Sequence, residues 1–108
     1  MSDARAAYKE AFQHFTRGEL AEAVAAYRRC LELDPEQVNA WSGLAMALAR
    51  SDDLDGAIEA GLRAVELDPD EPLGHTSLSM FYQQKGMIPE AEDEKAIAMR
   101  LSMQRQGG

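Results

Sequence analysis

The chain has 108 residues, 45% hydrophobic and 6% aromatic, and a net charge of −8. A domain of that size buries about two thirds of its unfolded surface, enough to fold alone. The acidity, the lack of any apolar run near ~20 residues and the single cysteine, Cys30, argue against a nucleic-acid or anionic-lipid binder, a membrane-spanning helix and an internal disulfide.

Ser2 or Asp3 caps a first predicted helix that runs to about Thr16, and Arg17-Gly18 makes the turn. A second helix covers Glu19 to Leu33, with Leu20, Ala23, Val24, Tyr27 and Leu31 on one face at spacings of three and four. Asp34-Pro35 ends it, because the residue before proline avoids the helical region. A third helix follows from about Glu36 to Arg50. Asp52 or Asp53 caps a fourth that ends near Leu67, before Asp68-Pro69. The fifth starts near Glu71-Pro72, where a first-turn proline is tolerated, and stops before Gly86. The sixth begins at Ile88-Pro89, with Glu90, Glu92, Asp93 and Glu94 early and Arg100 and Arg105 late, which suits the helix dipole. Residues 106–108 are expected to form a disordered tail.

A fixed period runs through this pattern. Pro35 and Pro69 are 34 residues apart, and so are the members of the series Ala23, Ala57, Ala91 and of Leu20, Leu54, Ile88. Gly18 and Gly86 are two periods apart with Asp52 between them. A helix–turn–helix unit recurring at such a period is the mark of a stacked array, in which each unit buries its apolar face against the next.

The residues Trp41, Leu44, Ala45, Ala57, Ala64 and Pro69 make the middle unit resemble the tetratricopeptide repeat. Leu48 and Gly61 depart from the tyrosine and aromatic columns of that pattern, and Ala7 and Glu10 replace its tryptophan and leucine in the first unit. The resemblance implies an all-α, right-handed solenoid, one domain over residues 1–105, with repeats at 4–37, 38–71 and 72–105. A more polar first unit suits a terminal repeat, since nothing stacks before it.

Charge is uneven along the array. The first repeat holds five basic and six acidic residues, the second two and eight, and the segment from Pro72 onward four and four. The −6 of the middle repeat serves either as a solubilising outer face or as a docking site for a basic partner.

Little in the chain suggests catalysis. No glycine-rich phosphate loop, metalloprotease helix or nucleophile elbow is present. His14 and His75 fall in columns of packed aromatics, so each is expected to be structural. Asp52-Asp53-Leu54-Asp55-Gly56 lacks the closing bidentate glutamate of a calcium loop and reads as a helix start. Cys30 shares its column with Ala64 and Ala98 and reads as a small buried filler. A non-enzyme with no cofactor and no metal is expected, acting in the cytoplasm.

The resemblance further implies a concave groove lined by the first helix of each repeat, where a peptide or amphipathic helix of another protein would bind. Family geometry assigns Tyr8, Phe12, Phe15, Ser42, Met46, Thr76, Met80 and Gln83 to it. Phe12, Met46 and Met80 form one column, an apolar and adaptable stripe if open and core packing if closed. The positions that clamp acidic chaperone tails in other family members are Tyr8, Phe12, Gly43, Leu73 and Ser77 here, with no cation among them. An adaptor or small chaperone-like binding module is the first expectation. The alternative is a self-assembling scaffold. No seventh helix covers the last repeat, and Leu78, Phe81, Met99, Leu101 and Met103 are expected at an uncapped, self-associating end.

Overall fold

A computed structural model describes residues 3–107. Among them the chain forms six α-helices and no strand: α1 Asp3–Thr16, α2 Leu20–Leu33, α3 Val38–Arg50, α4 Leu54–Leu67, α5 Pro72–Lys85 and α6 Ile88–Gly107. Consecutive helices are joined by short turns and pack as antiparallel neighbours, α1 with α2, α3 with α4 and α5 with α6. The pairs then stack, α2 onto α3 and α4 onto α5. The result is an all-α solenoid of three helical hairpins. No helix among the described residues is long and apolar enough to cross a membrane.

The turns follow the 34-residue register. Gly18, Asp52 and Gly86 all adopt left-handed backbone, with φ of 77°, 66° and 86°, a region glycine enters without a Cβ clash and aspartate tolerates better than most residues. Of the two candidate caps of α4, Asp53 does the capping: its Oδ1 accepts the Gly56 N–H at 3.0 Å. Asp52 is the turn residue instead. Glu71 caps α5 by accepting the Leu73 N–H at 3.1 Å. For α1, Asp3 lies inside the helix, and Ser2 lies outside the described residues.

The three hairpins are locked by a large residue meeting a small one, and the two junctions reverse the roles. At the first, Tyr27 of α2 is buried over Gly43 of α3, where any Cβ would run into the tyrosine ring. At the second, the column of Tyr27 holds Gly61, and the volume is restored from the other side by Leu78 and Phe81 of α5. A Cβ on Gly61 would come within 2.9 Å of Leu78 Cδ2. Leu78 and Phe81 are each 0% exposed. They therefore do not belong to an open end. Leu78 repeats the buried Leu44 of the preceding hairpin, while Phe81, in the column of Ala47, fills the space that the missing aromatic leaves between the second and third hairpins, an exchange that keeps the core volume.

The columns also carry polar ties. Trp41 donates its Nε1–H to the Pro35 carbonyl at 2.8 Å, and one period later His75 Nε2 meets the Pro69 carbonyl at 2.8 Å. His75 Nδ1 faces Glu94 Oε1 at 2.7 Å, so both ring nitrogens of this buried side chain have oxygen partners. His14 is half-buried and meets Glu19 Oε1 at 2.6 Å. Both histidines thus join elements of the fold. Cys30 is fully buried beside the Ala4 carbonyl, 3.2 Å from its Sγ.

α6 has 20 residues, against 13 or 14 in the other five helices. It continues through Gln106 and Gly107, where a disordered tail was expected; Gly108 lies outside the described residues. The segment Ser102–Gln106 contains neither proline nor glycine, so nothing in it stops the helix earlier. Arg105 in its last turns reaches Glu71 at 3.3 Å.

Two outcomes follow from the interlock. Phe81→Ala is expected to cost about 3–5 kcal/mol, the usual loss for a fully buried phenylalanine, measured by urea unfolding. Burial also pushes the Tyr27 phenol up to about 12, with smaller contributions from Tyr8 and Cys30 in the same direction. A raised phenol keeps its proton longer in the folded chain than in the unfolded one. Its contribution is therefore complete below pH ~10 and is lost between about pH 10 and 12. Tyr27→Phe should flatten the stability profile in that window relative to the parent while changing it little near neutrality. An unchanged alkaline profile would contradict the burial of the ring.

Candidate functional site

The helices that open each hairpin, α1, α3 and α5, bring the predicted groove residues to one side of the solenoid. Phe12 is 50% exposed and Met80 39%. Ser42, Thr76 and Gln83 are also exposed, while Tyr8, Phe15 and Met46 are half-buried and lean on the core. The Phe12, Met46 and Met80 column is accordingly not core, although its middle member is partly used for packing. Tyr8 stacks on Phe12, with ring centroids 6.5 Å apart and 18° between planes, and tilts against Tyr27 at 5.9 Å. The aromatic pair is thus held by the same tyrosine that locks the first junction. Phe15 sits under the Arg50 guanidinium, 4.6 Å from the ring centroid, which removes part of its face from any ligand.

The predicted residues do not form one continuous strip. Ser42 and Met46 open into a cleft of about 420 Å³ between α3 and α5, over α4. Its depth comes from small residues, Ala45, Gly61, Ala64 and Gly74, and its mouth carries Val38 and Leu73. Leu73 is 71% exposed. Asp68 and Glu71 stand on the rim. Glu71 is committed to the Leu73 N–H and to Arg105, whereas the exposed Asp68 borders the opening.

Thr76, Met80 and Gln83 line a second cleft, of about 500 Å³, shared between α5 and α6. It is the first cleft one repeat later. Ser42, Ala45, Met46 and Ala64 have become Thr76, Ser79, Met80 and Ala98, and the third wall, supplied by α5 in the first case, is missing. Thr76 spends its hydroxyl proton on the Pro72 carbonyl at 3.1 Å, which leaves the oxygen only as an acceptor.

Sequence reasoning did not identify Val38, Asp68 and Glu71 as lining residues. Their signal was weak because they lie at helix ends, where the register says least about side-chain direction. A further cleft, of about 610 Å³, lies on the opposite side between α2 and α4. Its floor includes Trp41, Leu44 and Leu48, and Arg63 lies across the Trp41 ring at 5.4 Å. It is larger but holds none of the exposed apolar residues of the groove, so it is a surface depression over the core.

Of the expected end residues, Met99 and Met103 are exposed by 57% and 67%, Leu101 is half-buried, and Leu78 and Phe81 are interior. No group of three or more His, Cys, Asp or Glu among the described residues is arranged to hold a metal ion.

Comparison with known proteins gives the family. The tetratricopeptide repeat model matches residues 8–72, more than half of the chain. The TPR repeat-containing thioredoxin TTL4 of Arabidopsis thaliana is 36% identical over 95 residues, which are 88% of this chain and 14% of that protein. The chain thus spans about a seventh of the length of this relative. In structure, the chain is similar to MamA, with a TM-score of 0.94 at 23% identity over 97% of this chain and 61% of that one. It is similar also to the TPR2B domain of yeast Sti1 in its pHsp70 complex, with a TM-score of 0.91 at 24% identity, covering 97% and 84% of the two chains. With the period, the hairpin stack and the matched columns in agreement, this chain belongs to the tetratricopeptide repeat family.

Proposed function

We propose that the protein is an interaction module, an adaptor or small chaperone-like protein, whose concave groove holds an apolar or amphipathic segment of a partner protein. The observation that carries this reading is the cleft between α3 and α5: small residues at its base, Met46 and Leu73 at its mouth and acidic residues on its rim. An apolar side chain fits the base, and a basic residue next to it meets Asp68. The Sti1 domain to which the fold is similar is itself in a complex with pHsp70. Here the corresponding positions hold Tyr8, Phe12, Leu73 and Ser77, none of them a cation, so an acidic tail is a poor ligand and an amphipathic segment with a basic polar face a better one.

Affinity is bounded by area. Covering Phe12 and Met80 together with Leu73 yields about 1.5–3 kcal/mol each at most, against association costs of about 4–15 kcal/mol. Apolar contact alone therefore gives weak binding, of micromolar order at best. Tighter capture requires the polar edge, Ser42, Gln83 and the Asp68 carboxylate, to be used as well.

The test is fluorescence anisotropy with a labelled leucine–lysine amphipathic helical peptide and its leucine–glutamate counterpart. The basic peptide should bind and the acidic one should not. Phe12→Gln with Leu73→Gln, both at exposed positions, should weaken binding of the basic peptide at least tenfold with the helical circular dichroism unchanged. Equal binding of both peptides, or no effect of the double variant, would overturn the reading. Affinity capture from native lysate with parent and variant as baits then identifies the natural partner.

A further inference from the structure

The cleft between α3 and α5 is bordered by polar groups that the fold does not use. Thr16, Ser51, Thr76 and Ser79 each donate their hydroxyl to a backbone carbonyl. Ser42 and Ser77, on the border of the cleft, do not, and no partner among the described residues meets the Asn39 amide or the Asp68 carboxylate beside them. Glu71, by contrast, is spent on the Leu73 N–H and on Arg105. No cation lines the cleft. Asp68 also stands at the C-terminal end of α4, which has no basic residue in its last turn to offset the negative end of its dipole.

This arrangement occurs once in the array. At the first junction the columns of Ser42 and Met46 hold the stacked rings of Tyr8 and Phe12, and Tyr27 stands where the second junction has Gly61. Asp34, in the column of Asp68, spends its Oδ1 on the Glu36 N–H at 3.2 Å. One repeat further on, that column holds Ser102 and no carboxylate.

The unused groups select among occupants. A wholly apolar segment would cover them without giving them partners, which costs affinity, and an acidic one would meet Asp68. A helical segment satisfies its own backbone, so its side chains must supply the donors. An arginine brings five N–H donors in a planar fork: two match a carboxylate, and the others can reach hydroxyl or amide oxygens. Lysine brings a compact, more strongly hydrated point charge that cannot bond a carboxylate in that forked way. The three-methylene stem of an arginine can also lie along apolar surface such as that of Met46 and Leu73 at the mouth. On the strength of the groove reading above, we propose that the cleft between α3 and α5 is a subsite for one arginine side chain of the bound segment, its guanidinium held by Asp68 with Asn39, Ser42 and Ser77 as further acceptors.

Fluorescence anisotropy with three labelled helical peptides of one design, leucine–arginine, leucine–lysine and the neutral leucine–citrulline, tests this. The parent protein should bind the arginine peptide about threefold more tightly than the lysine peptide and about tenfold more tightly than the citrulline peptide. Asp68→Asn should abolish the preference for arginine over lysine with the helical circular dichroism unchanged, since that side chain bonds nothing else in the fold. Asp70→Asn removes the same charge from an exposed position that does not border the cleft, and should leave the preference intact. Equal binding of the arginine and lysine peptides, or a preference that survives Asp68→Asn or is lost equally in Asp70→Asn, would overturn the arginine subsite while leaving the groove reading in place. Binding of neither basic peptide would overturn both.

Discussion

Everything else in the molecule depends on the fit between neighbouring hairpins, where a bulky side chain must meet a position with almost none. Tyr27 over Gly43, and Leu78 with Phe81 over Gly61, fill equivalent spaces from opposite sides. Such a helical hairpin cannot bury its apolar face alone, so the junctions supply the cohesion that a single hairpin lacks. They also set the distance between α3 and α5, and with it the depth of the cleft. Gly61 has a double effect: it admits Leu78 and Phe81 from behind and contributes to the hollow base of the cleft. A phenyl ring in that column, as the family pattern prefers, would need both to move.

The two ends of the array are unlike for a reason visible in the same columns. At the start, the face that would receive an earlier hairpin carries Lys9, Glu10 and Gln13, with Glu10 held by Arg29 and near His14. Water is an adequate neighbour for that surface. At the other end the corresponding face is Met99 and Met103, extended by the additional turns of α6. Exposed methionines in a row, flanked by clefts, favour cover.

Within the groove, chemistry follows from what the junctions leave over. Tyr8 and Phe12 stack because Tyr27 supports them from behind, and Phe15 is partly spent on Arg50. Glu71 is spent on capping α5 and on Arg105. Asp68 and the apolar mouth of the cleft remain at the opening, and the proposed preference for apolar and basic partners rests on them.

The 34-residue period, the turn residues and the apolar spacing were enough to establish six helices, their approximate limits and the family, because these depend on local backbone chemistry and on the need of each hairpin for a neighbour. The structural placing of His14, half-buried, and of His75, buried, and the role of Cys30 as a filler could also be read from their columns. The sequence could not show that Phe81 is interior, because its ring, where the preceding repeat has Ala47, occupies volume missing at Gly61, twenty positions away in the chain. Nor could it divide the groove residues between two clefts, or show that α6 runs to Gly107 and presents Met99 and Met103. Local pattern specifies which face of a helix is apolar; only the packed structure decides which part of that face already has a neighbour.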